Sequence, residues 1–251
     1  MKIEILFPEI CNLYGDLGNI RYLKESDPSI EIIETSLKSE PAFNKEKVDL
    51  IYMGTTTENG IKLSVNALKP YVPKLKKLID EGQFILLTGN ALDIWGSFID
   101  SDEYPRIECL DILKTHSEYH MMKRHNSFFI GDFNTDGAEG IEVVGFKSIF
   151  GHTYADENDG DDTNTEYAQQ GWFKTVRGIG RNPEEIPEGF KINNLFATYL
   201  IGPLLPLNPK LTAWFLERLG STCAPAYEDA ATKAYEQRLK ELKNEHFDPN
   251  Y

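Results

Sequence analysis

The segment Phe84-Ile-Leu-Leu-Thr-Gly-Asn-Ala-Leu-Asp-Ile-Trp-Gly96 runs from an apolar strand through a tight turn into the start of an amphipathic helix. α/β enzymes mount a nucleophile on such a strand-turn-helix elbow, because the turn lifts one side chain clear of the sheet. Here the turn holds Gly89 and Asn90, with neither cysteine nor serine. The layout of an active site is present without its central atom. Thr88 is the hydroxyl next to the turn, and no histidine lies near it in sequence to serve as a base.

Other reactive side chains are scattered. His116 and His120 stand four apart, the spacing that would place them on one helix face, with His125 nearby. The run His-Ser-Glu-Tyr-His is not the zinc-binding H-E-x-x-H, and no third ligand is evident, so no metal is expected. Residues 155–166 are acidic, but Ala155 stands where an EF-hand loop needs its first ligand, which leaves a solvated loop. Cys11 and Cys109 have no glycine elbow beside them and read as structural thiols. Three dispersed cysteines form neither a disulfide framework nor a C-x-x-C pair and fit a reducing compartment.

The elements that must position these residues follow from patterning. Lys2–Phe7, Ile30–Glu34, Val48–Met53 and Phe84–Leu87 read as strands, the last apolar throughout, as in a parallel sheet covered on both faces. Asn12–Asn19 is a turn-rich loop, and Ile20–Lys24 begins a helix. Leu68, Tyr71, Leu75, Leu78 and Ile79 recur at helical spacing up to Gly82. This rhythm predicts a doubly wound α/β sheet over about the first hundred residues. Ile107–Leu113, Ser127–Phe133, Ile141–Phe146, Trp172–Thr175 and Leu195–Leu200 follow as strands, and two helices carrying Leu211 and Tyr235 end the chain. A single domain over 1–245 and a frayed tail over 246–251 are expected. The formal charge of −14 excludes polyanions such as nucleic acid as natural partners. No apolar run approaches the ~20 residues of a membrane span, and a cytoplasmic protein is expected.

Three motifs occur in order: Asn12-Leu-Tyr-Gly-Asp-Leu-Gly-Asn19, Gly145-Phe-Lys-Ser-Ile-Phe-Gly-His-Thr-Tyr154 and Ala197-Thr-Tyr-Leu-Ile-Gly-Pro-Leu-Leu-Pro-Leu-Asn-Pro209. Together they resemble the CobB/CobQ-like class I glutamine amidotransferases, and within them the amidotransferase subunits of lipid II isoglutaminyl synthase. The resemblance implies a three-layer, flavodoxin-like α/β fold with a mostly parallel sheet and helices on both faces. It also implies a cysteine in a Cys-Gly-Gly-x-Gln-x-x-Gly elbow that releases ammonia from glutamine through a thioester. A histidine in a Thr-Tyr-Leu-His-Gly-Pro run would be its base, and a glycine-rich loop would supply oxyanion stabilisation.

Carried over position by position, Gly89 stands at the cysteine, Asn90 and Ala91 at the two glycines, and Asp93 at the glutamine. A shift by one residue would bring Thr88 to the cysteine position. Thr198-Tyr199-Leu200 match the later run, and Ile201 replaces the base. The oxyanion loop reads Gly54-Thr55-Thr56-Thr57-Glu58, one glycine followed by threonines. Glycine cannot attack a carbonyl and isoleucine cannot accept a proton, and nucleophile and base act as one unit.

The resemblance therefore implies a silent amidotransferase-like subunit, with no cofactor of its own, docking on a Mur-ligase-like, ATP-using synthetase in amidation of a peptidoglycan precursor or a cofactor. One alternative is a small-ligand module, with Thr55, Thr56, Asn90, Asp93 and Tyr199 as polar contacts. Another is relocated catalysis using Thr88, or a cysteine brought to His152, the only histidine within a motif.

Overall fold

The computed structural model describes residues 1–135, 138–156, 171–244 and 246. The acidic run beyond Asp156 and the C-terminal tail other than His246 lie outside the described residues.

The central sheet is built from β1 (Lys2–Leu6), β2 (Glu31–Thr35), β3 (Leu50–Met53), β4 (Phe84–Thr88), β13 (Phe190–Ile192) and β14 (Leu195–Thr198). Its order is β13-β14-β4-β3-β1-β2, parallel throughout except for the antiparallel edge strand β13. Strand alternation distributes the apolar residues between two layers. Ile51, Met53, Ile85 and Leu87 share a core with α2 (Ala42–Lys45), α3 (Glu58–Leu68) and α4 (Val72–Asp80) through Phe43, Ile61, Val65, Leu75 and Ile79. Leu50, Tyr52, Leu86 and Phe196 face the opposite way, onto Ile20 and Leu23 of α1 (Gly18–Ser26) and onto Leu211 and Phe215 of a later helix, Pro209–Arg218. The fold is the three-layer, flavodoxin-like α/β type. Among the described residues no helix is long and apolar enough to cross a membrane.

Two four-stranded sheets extend this frame. One joins β5 (Phe98–Ser101), β6 (Ile107–Glu108), β7 (Thr115–Tyr119) and β10 (Gly151–Ala155). The other joins β8 (His125–Thr135), β9 (Ala138–Ile149), β11 (Phe173–Arg177) and β12 (Pro187–Glu188). The second sheet is locked to the first layer by aromatic edges: Phe133 meets Trp214 with ring centroids 5.0 Å apart, and Trp172 meets Phe196 at 5.1 Å.

Several expectations are corrected here. His116 lies on strand β7, not a helix, and His120 follows its end. Their partners differ: His116 Nδ1 is 2.9 Å from Asp156 and His120 Nδ1 is 3.0 Å from Asp102. The Leu68–Ile79 periodicity spans two helices joined by a 3₁₀ turn, Lys69–Tyr71, because Pro70 and Pro73 cannot donate to a continuous ladder. Of the strand expected over 107–113 only Ile107–Glu108 forms. The amides of Leu110, Asp111 and Leu113 instead donate to the carbonyls of Ile94, Gly96 and Trp95.

Lys147 and Glu188 form an ion pair with both side chains fully buried. The Lys147 ammonium also donates to the carbonyls of Ile179 (2.8 Å) and Gly180 (2.6 Å). Glu188 accepts from Thr198 Oγ1 (2.7 Å) and the Tyr199 amide (2.8 Å), so the pair fixes the path of the chain just past β14. Breaking one side leaves the other charge buried and uncompensated. We therefore expect Lys147→Met to cost about 3–5 kcal/mol in urea unfolding. Lys147→Met combined with Glu188→Gln should recover part of that loss, and a double variant no more stable than the single would contradict the charge account.

Candidate functional site

The C-terminal ends of β1, β3, β4 and β14 meet at one place, as expected where a doubly wound sheet reverses its strand order. Residues past each strand enclose a cavity of about 190 Å³. Tyr14 follows β1, Thr55 and Thr56 follow β3, Gly89 and Asn90 follow β4, and Tyr199 and Ile201 follow β14. Gly89 and Ile201, far apart in sequence, thus line the same space. The segment 148–151, from the end of β9 into the start of β10, forms another wall.

The elbow has a definite backbone. Gly89 has φ +59°, between β4 and the short helix α5 (Ala91–Ile94). That left-handed angle favours glycine, and the surroundings demand it as well. A Cβ built on residue 89 would overlap Thr55 Oγ1 and lie 2.8 Å from Thr55 Cβ. Thr55 therefore fills the position from which a nucleophile's side chain would start.

Thr55 is itself pinned. Its hydroxyl and its amide (2.8 Å) both donate to Asp16 Oδ2, which also accepts from Thr88 Oγ1 at 3.0 Å. The Thr56 amide donates to Asn90 Oδ1 (2.9 Å), and Asn90 Nδ2 returns a bond to the Thr56 carbonyl (2.8 Å). The Thr55 and Thr56 amides, in the loop expected to stabilise an oxyanion, are thus taken by side chains of the protein. An oxyanion hole needs such donors free and aimed at the developing charge. Gly54 lies behind this loop, where a Cβ would meet the Cys11 carbonyl at 2.9 Å.

Asp93 lies fully buried beneath the cavity. It accepts from Ser117 Oγ and Tyr119 OH at 2.5 Å each, from Thr153 Oγ1 at 3.3 Å, and from Tyr199 OH. Burial pushes its carboxyl above the usual carboxylate range, while these hydroxyls pull it back. Tyr119 and Tyr199 line the cavity, so Asp93 meets it through them. Asp16 is likewise buried and likewise raised by desolvation.

The remaining expected residues stay apart from the cavity. Thr88 is buried, its hydroxyl shared between Asp16 and Tyr52 OH (2.9 Å). His152 is on β10 beside His125, with ring centroids 5.5 Å apart, and burial depresses its pKa to about 4. Cys11 is buried 3.7 Å from Ser64 Oγ, its thiol pushed up to about 11 by burial. Cys109 is 3.6 Å from the Ile107 carbonyl, its thiol also pushed up by burial. None of these four lines the cavity.

Sequence reading passed over Asp16, Asn19, Asn208 and Lys147, although all four stand inside the three motifs. Asn19 Oδ1 accepts from the Leu205 amide (2.8 Å), and Asn208 binds the Val144 amide and carbonyl (2.8 Å each). The motifs are therefore hydrogen-bonded to one another. Tyr119 and Arg124, which also line the cavity, carried no sequence signal, and Glu58 was read only as the end of the threonine loop.

Comparison with known proteins agrees with this frame. The chain is 25% identical over 213 residues to the glutamine-hydrolysing lipid II isoglutaminyl synthase subunit GatD of Staphylococcus aureus strain N315, covering 82% of this chain and 79% of that one. It is 25% identical over 261 residues to the GatD subunit of Streptococcus pneumoniae, covering 97% and 92%. The chain is a homologue of these amidotransferase subunits. Among solved structures, PurLQS from Thermotoga maritima matches with a TM-score of 0.54 at 12% identity, over 95% of this chain and 98% of that chain, a likeness of fold. No family model matches the chain.

Two outcomes follow from the homologue's local packing. Gly89→Ala should cost roughly 2–4 kcal/mol, combining left-handed strain with overpacking against Thr55. Adding Thr55→Gly should remove the packing part in a double-mutant cycle, and strictly additive losses would refute the overlap. The raised Asp93 carboxyl contributes stability that is full below its unfolded pKa of ~3.9 and is lost as pH rises through its folded value. Asp93→Asn abolishes that titration. The stability gap between wild type and variant should therefore narrow as pH is raised from acid to neutral, measured by urea unfolding; a widening gap would refute the shift.

Proposed function

We propose that this chain is a catalytically silent, cytoplasmic, amidotransferase-like subunit that works by docking on a Mur-ligase-like, ATP-dependent synthetase, in amidation of a peptidoglycan precursor or a cofactor. The observation that carries this reading is the overlap at the elbow. Thr55, held by Asp16, occupies the space of any side chain on residue 89, which is glycine. Three further features support it. Ile201 stands at the base position, with its amide donating to the Phe146 carbonyl (2.9 Å). The Thr55 and Thr56 amides are satisfied internally. Thr88, the nearest alternative nucleophile, is buried and engaged by Asp16 and Tyr52. Packing of the three motifs does not depend on a thiol, so the fold and its outer surface persist without the chemistry.

The curated relatives are named as subunits of a synthase, and a subunit role is the natural extension to this chain. A second reading, a small-ligand module, draws on the cavity that persists between Gly89 and Ile201.

Incubation of the purified protein with glutamine should release neither glutamate nor ammonia above the buffer rate, and sustained turnover would overturn the silent assignment. Gly89→Cys combined with Ile201→His should also remain inactive, because Thr55 still blocks the thiol and its amide still faces Asp16. Size-exclusion chromatography with a Mur-type ligase encoded beside this chain should give a joint peak; separate elution would count against the docking role.

A further inference from the structure

Four aromatic rings line the cavity: Tyr14, Tyr119, Phe150 and Tyr199. Ile149 and Ile201 give it an apolar wall, and Glu58, at the N-terminus of α3, adds a half-buried carboxylate. Behind the wall are two more carboxyl groups, Asp93 under Tyr119 and Tyr199, and Asp16 under Thr55. Neither forms an ion pair with a lysine, arginine or histidine among the described residues; Asp93 is held by hydroxyls, and Asp16 by hydroxyls and the backbone amides of Thr55 and Gly202. Buried carboxylates ordinarily have a charged partner. In a low-dielectric cleft their field, focused through the cavity, favours positive charge and repels anions.

Among the described residues one cation lines the cavity, the exposed Arg124. Its guanidinium lies over the Phe150 ring, 4.4 Å from the centroid, and Nη1 donates to Tyr14 OH at 3.2 Å. The chain's own positive group thus already sits on the aromatic mouth. Aromatic faces attract cations within about 6 Å, and more strongly when desolvated.

We propose that the cavity binds a small organic cation of the alkylammonium class, seated among Tyr119, Tyr199 and Phe150 with Asp93 as its buried counter-charge, and that Arg124 competes with it for the Phe150 ring. The proposal rests on the reading that this site does not turn over glutamine. The alkyl portion packs on Ile149 and Ile201, and the ammonium takes the position nearest the acidic floor.

The test is a titration of the intact protein with ethylammonium chloride at neutral pH, followed by thermal unfolding and saturation-transfer NMR, against sodium chloride and sodium acetate at matched ionic strength. Saturable stabilisation and ring-proton transfer are expected with ethylammonium alone. Asp93→Asn should weaken this binding by about tenfold or more, since it removes the buried counter-charge. Arg124→Ala, an exposed change with little risk to folding, should tighten it several-fold by freeing the Phe150 ring. A response no larger than that of sodium chloride, saturation by acetate instead, or weaker ethylammonium binding in Arg124→Ala would overturn the proposal. Should Asp93→Asn fail to fold, the Arg124→Ala comparison decides alone. Ethylammonium has no amide to hydrolyse, so this result is read separately from glutamate release, which tests the silent assignment.

Discussion

A carboxylate sets the arrangement of the whole site. Asp16 Oδ2 gathers the Thr55 amide, the Thr55 hydroxyl and the Thr88 hydroxyl, joining the loops after β1, β3 and β4 in one buried knot. Because Thr55 is fixed there, residue 89 has no room for a Cβ, and glycine is required by sterics as well as by its φ of +59°. The same bonds consume the Thr55 amide as a donor. The absence of room for a side chain at residue 89 and the engagement of the Thr55 amide thus follow from one arrangement.

The knot belongs to a larger pattern in which polar side chains bind backbone to hold loops that carry no regular structure. Asn19 reaches Leu205, Asn208 reaches Val144, Asn90 reaches Thr56, and Glu188 reaches Tyr199. Buried backbone groups away from a ladder must find partners. The motif residues supply several of them. They specify the loop paths, and the loop paths shape the cavity.

The buried charges divide into two kinds. Lys147 and Glu188 neutralise each other and anchor the chain before Ile201. Asp93 is solvated by hydroxyls and Asp16 by hydroxyls and two backbone amides, and burial raises both carboxyl groups. Both acids lie behind the cavity wall, and among the described residues Arg124 at its mouth is the one positive group on the lining. Electrostatically the space differs from its surroundings, with acidic groups behind and within its wall.

Much of the frame was legible in the residues themselves. Periods of two in the strands, helical spacing in α4, Gly82 as a stop, and three ordered motifs were enough for a doubly wound sheet and a strand-turn-helix elbow, because these are local signals. The residues Gly89 and Ile201, at the places where the resemblance would put a cysteine and a histidine, could be read directly from the chain. Sequence could not show that Asn90 and Thr55 face inward to the protein's own backbone, that Asp93 serves two tyrosines from separate sheets, or that His152 and both inner cysteines stay away from the cavity. Nor did it separate strand from helix at His116, where spacing of four fits either period. Those facts depend on which distant segments pack together, and a side chain's hydrogen-bond partners are set by that packing rather than by its neighbours along the chain.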